Sequence, residues 1–223
     1  MNFKKFLIVF AVIVFIGAIS YKLSLPTIGS KLRTAFVGTL VPTDSPELAT
    51  IADRLGPSIV GIQSFNGGKL LRAGSGLILT QDGLVITLSS LVPPEADFYQ
   101  VLIDGKLDRG RVLVRDAKNN LAVVSVDDKG FLPANFSSSA ISGVENLLVV
   151  SQLKSLDKSS PLVDITPISD IKKSDSKFLG GAVTTQNGQI VGLLDTDNGL
   201  SKIINVSSIE KIFRDLLSSN NNG

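Results

Sequence analysis

The chain has 223 residues, with 22 basic and 20 acidic side chains and a formal net charge of +2. So balanced a charge gives no reason to expect a nucleic-acid-binding surface. The sequence contains no cysteine, which excludes disulfides and thiolate chemistry, and no histidine, which removes the usual general base and the commonest metal ligand. Any catalytic mechanism must therefore use carboxylates, lysine, tyrosine or hydroxyl groups.

The N-terminus carries a membrane-targeting signal. Two lysines precede an almost uninterrupted apolar run over residues 6–19. A bilayer core about 30 Å thick needs about 20 helical residues, a length that residues 6–25 supply. We predict an uncleaved signal anchor, a single transmembrane helix over residues 1–25, which places the globular domain outside the cytoplasm, in the periplasm or the extracellular space. The alternative is a signal peptide cleaved at the small residues of 18–20, which would give a secreted protein.

The next two segments connect the anchor to the globular part. Residues 26–45 are expected to form a tether, because they show no sustained hydrophobic period and contain two prolines and two glycines. A short helix is predicted over residues 46–55, where Leu48, Ile51 and Leu55 share one face.

From residue 58 onward, short segments rich in valine and isoleucine alternate with turn pairs such as Asn66-Gly67. This pattern predicts an antiparallel sandwich or barrel. The predicted strands are SIVGIQSF, GSGLILT, LVITLSS, FYQVLI, RGRVLVRD, LAVVSV, NLLVVSQL, PLVDITPI, GGAVTT, QIVGLL and SKIINVS. A final helix is predicted after the capping residues Ser207 and Ser208, and residues 218–223 are expected to form a disordered tail.

Several segments stand in an order that is typical of a known family. They are Pro57–Ile62, Gly74–Leu79, Asp82–Thr87, Asp104–Lys106, Asp116–Val124, Gly180–Val183 and Asn187–Gly192. Over residues 46–217 the chain resembles the trypsin-like serine protease domain of the HtrA/Deg family, less closely between residues 153 and 178. The resemblance implies an all-β fold, a trypsin-like double β-barrel with a shortened second barrel, with an N-terminal transmembrane helix and a C-terminal helix. Family members usually continue into a PDZ domain, and none is expected here.

The resemblance also indicates where a catalytic site would lie. Family members hydrolyse peptide bonds with a Ser-His-Asp triad, in which the histidine takes the serine proton and the aspartate orients the histidine. The family motifs place Ser90 at the histidine position, Asn120 at the aspartate position and Leu179 at the position of the nucleophile. All three triad positions are therefore expected to be degenerate.

The former oxyanion-hole region is expected to comprise Lys177, Gly180 and Gly181, with Lys177 where the family has a glycine. Losing the serine or the histidine alone lowers turnover about 10⁶-fold in a well-studied serine protease. Because the sequence has no histidine at all, no other alignment restores the base. The resemblance and these substitutions together predict a pseudoprotease and not an enzyme.

A non-standard active site is the first alternative to this prediction. Ser89 or Ser90 would be its nucleophile, with Lys172, Lys173 or Lys177 as the base. Such a lysine must be desolvated to lower its pKa, whereas these three lie in a polar segment that we expect to be solvated.

The predicted function is binding or scaffolding of an unidentified protein or peptide, which would add a strand at a sheet edge. The second alternative is a structural remnant without a binding groove. No cofactor, metal ion or nucleic acid is expected. Residues 195–199 resemble the start of a calcium loop but lack the glutamate at its twelfth position, so a hairpin turn is favoured. A homo-oligomer is an open alternative, because family members often trimerise through their N-terminal segments.

Overall fold

The structure is a computed structural model, which describes residues 46–137, 147–153, 162–171, 176–197 and 200–220. The predicted anchor and tether lie outside these residues. In the part of the chain that is described, no helix is long and apolar enough to cross a membrane.

The first half of the chain closes into a six-stranded antiparallel barrel. Its strands are β1 (Ile59–Asn66), β2 (Lys69–Ile78), β3 (Leu84–Leu88), β4 (Phe98–Ile103), β5 (Lys106–Asp116) and β6 (Leu121–Ser125). They lie in the order β1-β2-β3-β6-β5-β4, and β4 pairs with β1 to close the barrel. Closure leaves no free strand edge in this half of the molecule. The barrel interior is apolar, with Ile62, Leu77 and Ile86 essentially inaccessible to solvent.

The hairpin between β4 and β5 shows why the turn pairs predicted the strands well. Asp104 and Gly105 both have positive φ, +47° and +75°. Two consecutive residues of this kind form the tight turn whose twist matches that of an antiparallel hairpin, and Asp-Gly is one of the preferred pairs for it.

The second half forms one five-stranded antiparallel sheet in the order β11-β10-β9-β7-β8. Its strands are β7 (Leu148–Leu153), β8 (Leu162–Pro167), β9 (Ala182–Thr184), β10 (Ile190–Asp197) and β11 (Leu200–Asn205). The expected second barrel is therefore an open sheet in the described residues, because the segment between β7 and β9 supplies only one strand. Asp195, Thr196 and Asp197 lie in β10 and pair with β11, as the hairpin interpretation of this segment expects, while residues 198 and 199 lie outside the described residues.

The second sheet packs on both of its faces. Val150, Ala182 and Leu193 join the same apolar core as the barrel. On the opposite face, Val149, Val183 and Leu194 belong to a separate apolar cluster. A sheet covered on both sides explains why its strands are continuous apolar runs and do not alternate between apolar and polar residues.

Two helices flank these sheets, α1 (Pro46–Leu55) and α2 (Val206–Asn220). Both were predicted, but the N-cap of α2 differs from the prediction. Oδ1 of Asn205 accepts hydrogen bonds from the backbone N–H of Ser208 at 3.1 Å and from the Ser207 hydroxyl at 2.8 Å. Asparagine is among the best N-caps because its side-chain oxygen reaches the free N–H groups of the first turn, so Asn205 takes the role assigned to the two serines. The helix also includes residues 218–220, which were expected in the tail.

Candidate functional site

Ser90 and Asn120 are in direct contact at one end of the barrel. Ser90 lies in the 3₁₀ turn Ser89–Leu91 after β3, and Asn120 immediately precedes β6, the strand that pairs with β3. The backbone N–H of Ser90 donates to Oδ1 of Asn120 over 2.8 Å, and Nδ2 of Asn120 donates to Oγ of Ser90 over 3.2 Å. Two neutral side chains therefore form a hydrogen-bonded pair at the positions that we predicted for the histidine and aspartate of a triad.

The backbone at Asn120 is left-handed, with a φ of +51°. Asparagine tolerates this conformation better than most other residues that carry a side chain. Its carbonyl accepts the N–H of Ser89 over 3.1 Å, which fixes the turn against β6. The preceding loop is held by Asp116, whose carboxylate accepts hydrogen bonds from the side chain and the backbone of Asn119 at 2.6 and 3.1 Å. These bonds, the side-chain bond above all, lower the pKa of Asp116 below its ordinary value.

Leu179 lies at the tip of the turn between the 3₁₀ helix Ser176–Phe178 and strand β9. Its side chain is half-buried against the main core, and its carbonyl accepts the N–H of Ser75 over 2.8 Å. The next residue, Gly180, has a φ of +73°. A Cβ added there would collide with the carbonyl oxygen of Ser75 and would lie 3.0 Å from Cδ1 of Leu91. Since Leu91 follows Ser90, the structure brings all three positions to the junction of the barrel and the second sheet.

The backbone N–H groups at this turn are engaged within the protein. Leu179 donates to the carbonyl of Ser176 over 3.1 Å, Gly180 donates to Leu194 over 2.9 Å, and Gly181 donates to Phe178 over 3.0 Å. An oxyanion hole needs N–H groups that point into the cleft toward the developing charge. In this conformation the N–H groups of Leu179 and Gly181 stabilise the turn itself, and that of Gly180 joins the turn to β10.

The three positions differ in exposure. Ser90 is exposed, whereas Asn120 and Leu179 are half-buried. Leu179 therefore packs against the apolar core, whereas Ser90 lies at the surface. Of the lysines proposed as a base, Lys172 and Lys173 lie outside the described residues. Lys177 is exposed, with its ammonium 4.6 Å from the centroid of the Phe178 ring.

Comparison with known proteins agrees with this architecture. A family model described as a trypsin-like peptidase domain matches residues 74–193, which are 120 of the 223 residues. The chain belongs to the trypsin-like peptidase domain family. It is also 30% identical over 92 residues to "Serine protease HTRA4" from Homo sapiens, a match that covers 39% of this chain. The matched part spans 19% of the human protein.

These matches contradict the prediction that the chain is not an enzyme, because both are to peptidases. The prediction depended on Ser90, Asn120 and Leu179, on Lys177, and on the absence of histidine from the sequence. Membership of a peptidase family depends on the pattern of the whole domain, and the family model matches more than half of the chain. The resemblance to the HtrA family is confirmed by the same matches.

A cavity of ≈ 290 Å³ opens beside the 176–181 turn of the trypsin-like domain. Ser176 and Lys177 line it on the side of the turn, Gly61 and Gly74 on the barrel, and Gln152 on the second sheet. The cavity therefore lies between the barrel and the second sheet, next to Gly61 on β1. A Cβ on Gly61 would lie 3.8 Å from Oε1 of Gln152.

Two residues at this junction were not predicted from the sequence, Ser75 and Gln152. The backbone N–H of Gln152 donates to Oγ of Ser75 over 3.0 Å, and the Thr87 hydroxyl donates to the Ser75 carbonyl over 2.8 Å. Gln152 is 4% exposed, and its Oε1 has no hydrogen-bond partner among the described residues. No periodicity or motif marks either residue, since both lie inside strands that are identified by their apolar neighbours.

Proposed function

We propose that this chain is a membrane-anchored serine protease homologue that binds an extended peptide segment in the cavity beside the 176–181 turn. The observation that carries the proposal is the buried carbonyl oxygen of Gln152. A buried acceptor without a partner is destabilising by about 1–3 kcal/mol, and native structures contain few of them. A peptide N–H that enters beside Gly61 would satisfy it once the Gln152 side chain turns toward the cavity.

The composition of the cavity suits a main chain with mixed side chains. Leu102 and Leu107 supply apolar surface, while Gln63 and Gln100 supply amide groups. A cleft that is mostly apolar with a few polar groups is the usual form of a ligand site. The cavity also argues against a structural remnant without a groove.

The test is binding of fluorescein-labelled casein, an unfolded polypeptide, measured by fluorescence anisotropy. Gln152→Leu removes the acceptor and leaves the backbone bond to Ser75 in place. We expect it to weaken binding about five- to tenfold, the effect of one hydrogen bond of about 1–1.4 kcal/mol. Gln189→Leu, on the exposed turn before β10, is the matched control and should bind like the wild type. Equal affinity of Gln152→Leu and the wild type would contradict the proposal, provided that circular dichroism shows both to be folded.

A second candidate function is peptide hydrolysis, which membership of a peptidase family favours. With no histidine, the nucleophile would be Ser89 or Ser90 with a different base. In the structure the Ser90 hydroxyl receives a hydrogen bond from Nδ2 of Asn120, a group that cannot accept its proton. Casein hydrolysis that is lost in Ser89→Ala or Ser90→Ala would establish this second function. Hydrolysis that is unchanged in the double variant would remove it.

We further propose that residues 1–25 anchor the domain on the outer side of the membrane. The support is the apolar run and the two lysines before it. The full chain should remain in the membrane fraction after a carbonate wash, and protease added to intact cells should degrade the domain. A chain without residues 1–25 that still sediments with membranes would contradict the anchor.

A further inference from the structure

A second groove lies on the outer face of the barrel, where β4 and β5 run side by side. It has a volume of ≈ 440 Å³, and its charged and aromatic lining includes Arg109, Arg111, Arg115, Tyr99, Asp97 and Asp127. We call it the arginine groove. It shares no lining residue with the cavity beside the 176–181 turn.

Two of the guanidinium groups are positioned by neutral acceptors. Nε of Arg115 donates to the carbonyl of Val92 over 2.9 Å, and its Nη2 donates to the Tyr99 hydroxyl over 2.7 Å. The same guanidinium lies 5.9 Å from the centroid of the Tyr99 ring. Nε of Arg111 donates to Oγ of Ser125 over 3.4 Å. These contacts orient the cations but leave their charge uncompensated.

The carboxylates in the groove do not neutralise its arginines. In the described residues, none of the three guanidinium groups forms an ion pair, and the ion pair found there, between Lys211 and Asp215, lies on α2. Asp97 instead accepts the backbone N–H of Gly67 over 2.9 Å. Three arginines against two aspartates therefore leave the lining with a net positive charge.

The spacing of the arginines selects the form of the ligand. Arg109 and Arg111 are both exposed and lie two residues apart on β5. The residue between them faces inward, because a Cβ added to Gly110 would meet Val124 and Val101 in the barrel interior. Positions i and i+2 of a strand are about 6.6–6.8 Å apart, which is also the repeat of side chains along one side of an extended peptide.

We propose that the arginine groove binds an extended acidic peptide segment of another protein. Carboxylates at alternate positions of the segment pair with Arg109 and Arg111, and Arg115 holds a third acidic group. Guanidinium groups suit this role because their planar donors match a carboxylate in a bidentate manner and they are less strongly hydrated than ammonium groups.

The experiment measures fluorescence anisotropy of a fluorescein-labelled decapeptide of alternating glutamate and serine, with the domain at low salt. A peptide of the same composition with its glutamates in one block tests the spacing. We expect the double variant Arg109→Gln/Arg111→Gln to bind the alternating peptide more weakly by up to about 25-fold, because each of two exposed ion pairs contributes up to about fivefold. The control Lys202→Gln/Arg214→Gln removes the same charge from exposed positions on β11 and α2 and should change affinity less than twofold. Binding should also weaken as salt is raised.

Three results would overturn the proposal. Equal weakening in the two double variants would show that net charge alone attracts the peptide. Equal affinity for the block peptide would show that strand spacing plays no part. Binding to phosphatidylglycerol vesicles that depends on Arg109 and Arg111, without binding of the peptide, would assign the groove to a membrane surface. Gln152→Leu should leave this binding unchanged, so the two proposed sites fail or succeed separately.

Discussion

The contact between Ser90 and Asn120 yields a prediction with two separable parts. Asn120→Gly keeps the left-handed backbone at a φ of +51° but removes both side-chain hydrogen bonds to Ser90. One of these bonds, at 2.8 Å, contributes most, and an intramolecular hydrogen bond is worth about 0.5–1.5 kcal/mol net. We therefore expect the free energy of unfolding to fall by about 1 kcal/mol. Asn120→Ala removes the same bonds and, unlike glycine or asparagine, alanine does not tolerate the left-handed region well, so it should lose about another 1–2 kcal/mol relative to Asn120→Gly.

Urea unfolding at 25 °C, followed by circular dichroism, measures both variants. The expected order of stability is wild type, then Asn120→Gly, then Asn120→Ala, with the midpoint shifting at constant slope. Equal stability of the glycine and alanine variants would refute the backbone part of the reasoning. A glycine variant as stable as the wild type would refute the hydrogen-bond part. Asn120→Asp keeps the 2.8 Å acceptor and should lie closest to the wild type.

Three further predictions concern the turns around the site. Gly180→Ala should destabilise the domain by about 3 kcal/mol or more in urea unfolding. Gly105→Ala has nearly the same φ, but none of the described atoms lies within 4 Å of the added Cβ, so it should lose only about 1 kcal/mol. Similar losses in the two variants would show that the contact with Ser75 is unimportant. Leu179→Ser should raise casein hydrolysis less than tenfold over the wild type, because a serine without a base is a weak nucleophile; a larger gain would reveal a base in the site. Because the folded-state pKa of Asp116 is lowered, its carboxylate stabilises the fold above about pH 4 and loses this effect as pH falls further. Asp116→Asn should therefore flatten the acid side of a plot of the free energy of unfolding against pH. An unchanged slope would contradict this.

The order and type of the elements could be predicted from the sequence because local signals and burial agree. The runs of valine and isoleucine between Asp-Gly and Asn-Gly pairs correspond to strands throughout the described residues. The two helices follow from their apolar faces. The N-cap at Asn205 was missed because Asn205, Ser207 and Ser208 are all good capping residues, and only the geometry of the first turn decides between them.

The open sheet of the second half, and the hydrogen bonds and cavity at the site, depend on contacts between residues that are distant in sequence. Whether a sheet closes into a barrel depends on how many strands the chain supplies and how they tilt, and between β7 and β9 the family resemblance is weakest. The proximity of Ser90 and Asn120 followed from the family resemblance. The hydrogen bond from the Leu179 N–H to Ser176 and the cavity next to Gly61 could not be predicted, because no local pattern encodes them.

Ser75 links the barrel to the second sheet through buried hydrogen bonds. Its N–H is bonded to Leu179, its hydroxyl to the N–H of Gln152, and its carbonyl to Thr87, all at a position with no solvent exposure. This one residue of the barrel is thus bonded to β7, at Gln152, and to the turn before β9, at Leu179. Unfolding either half alone would break the buried hydrogen bonds that join Ser75 to the second half. The two halves should therefore unfold as a single cooperative unit. In hydrogen exchange, the amides of Ser75 and Gln152 should exchange only through global unfolding.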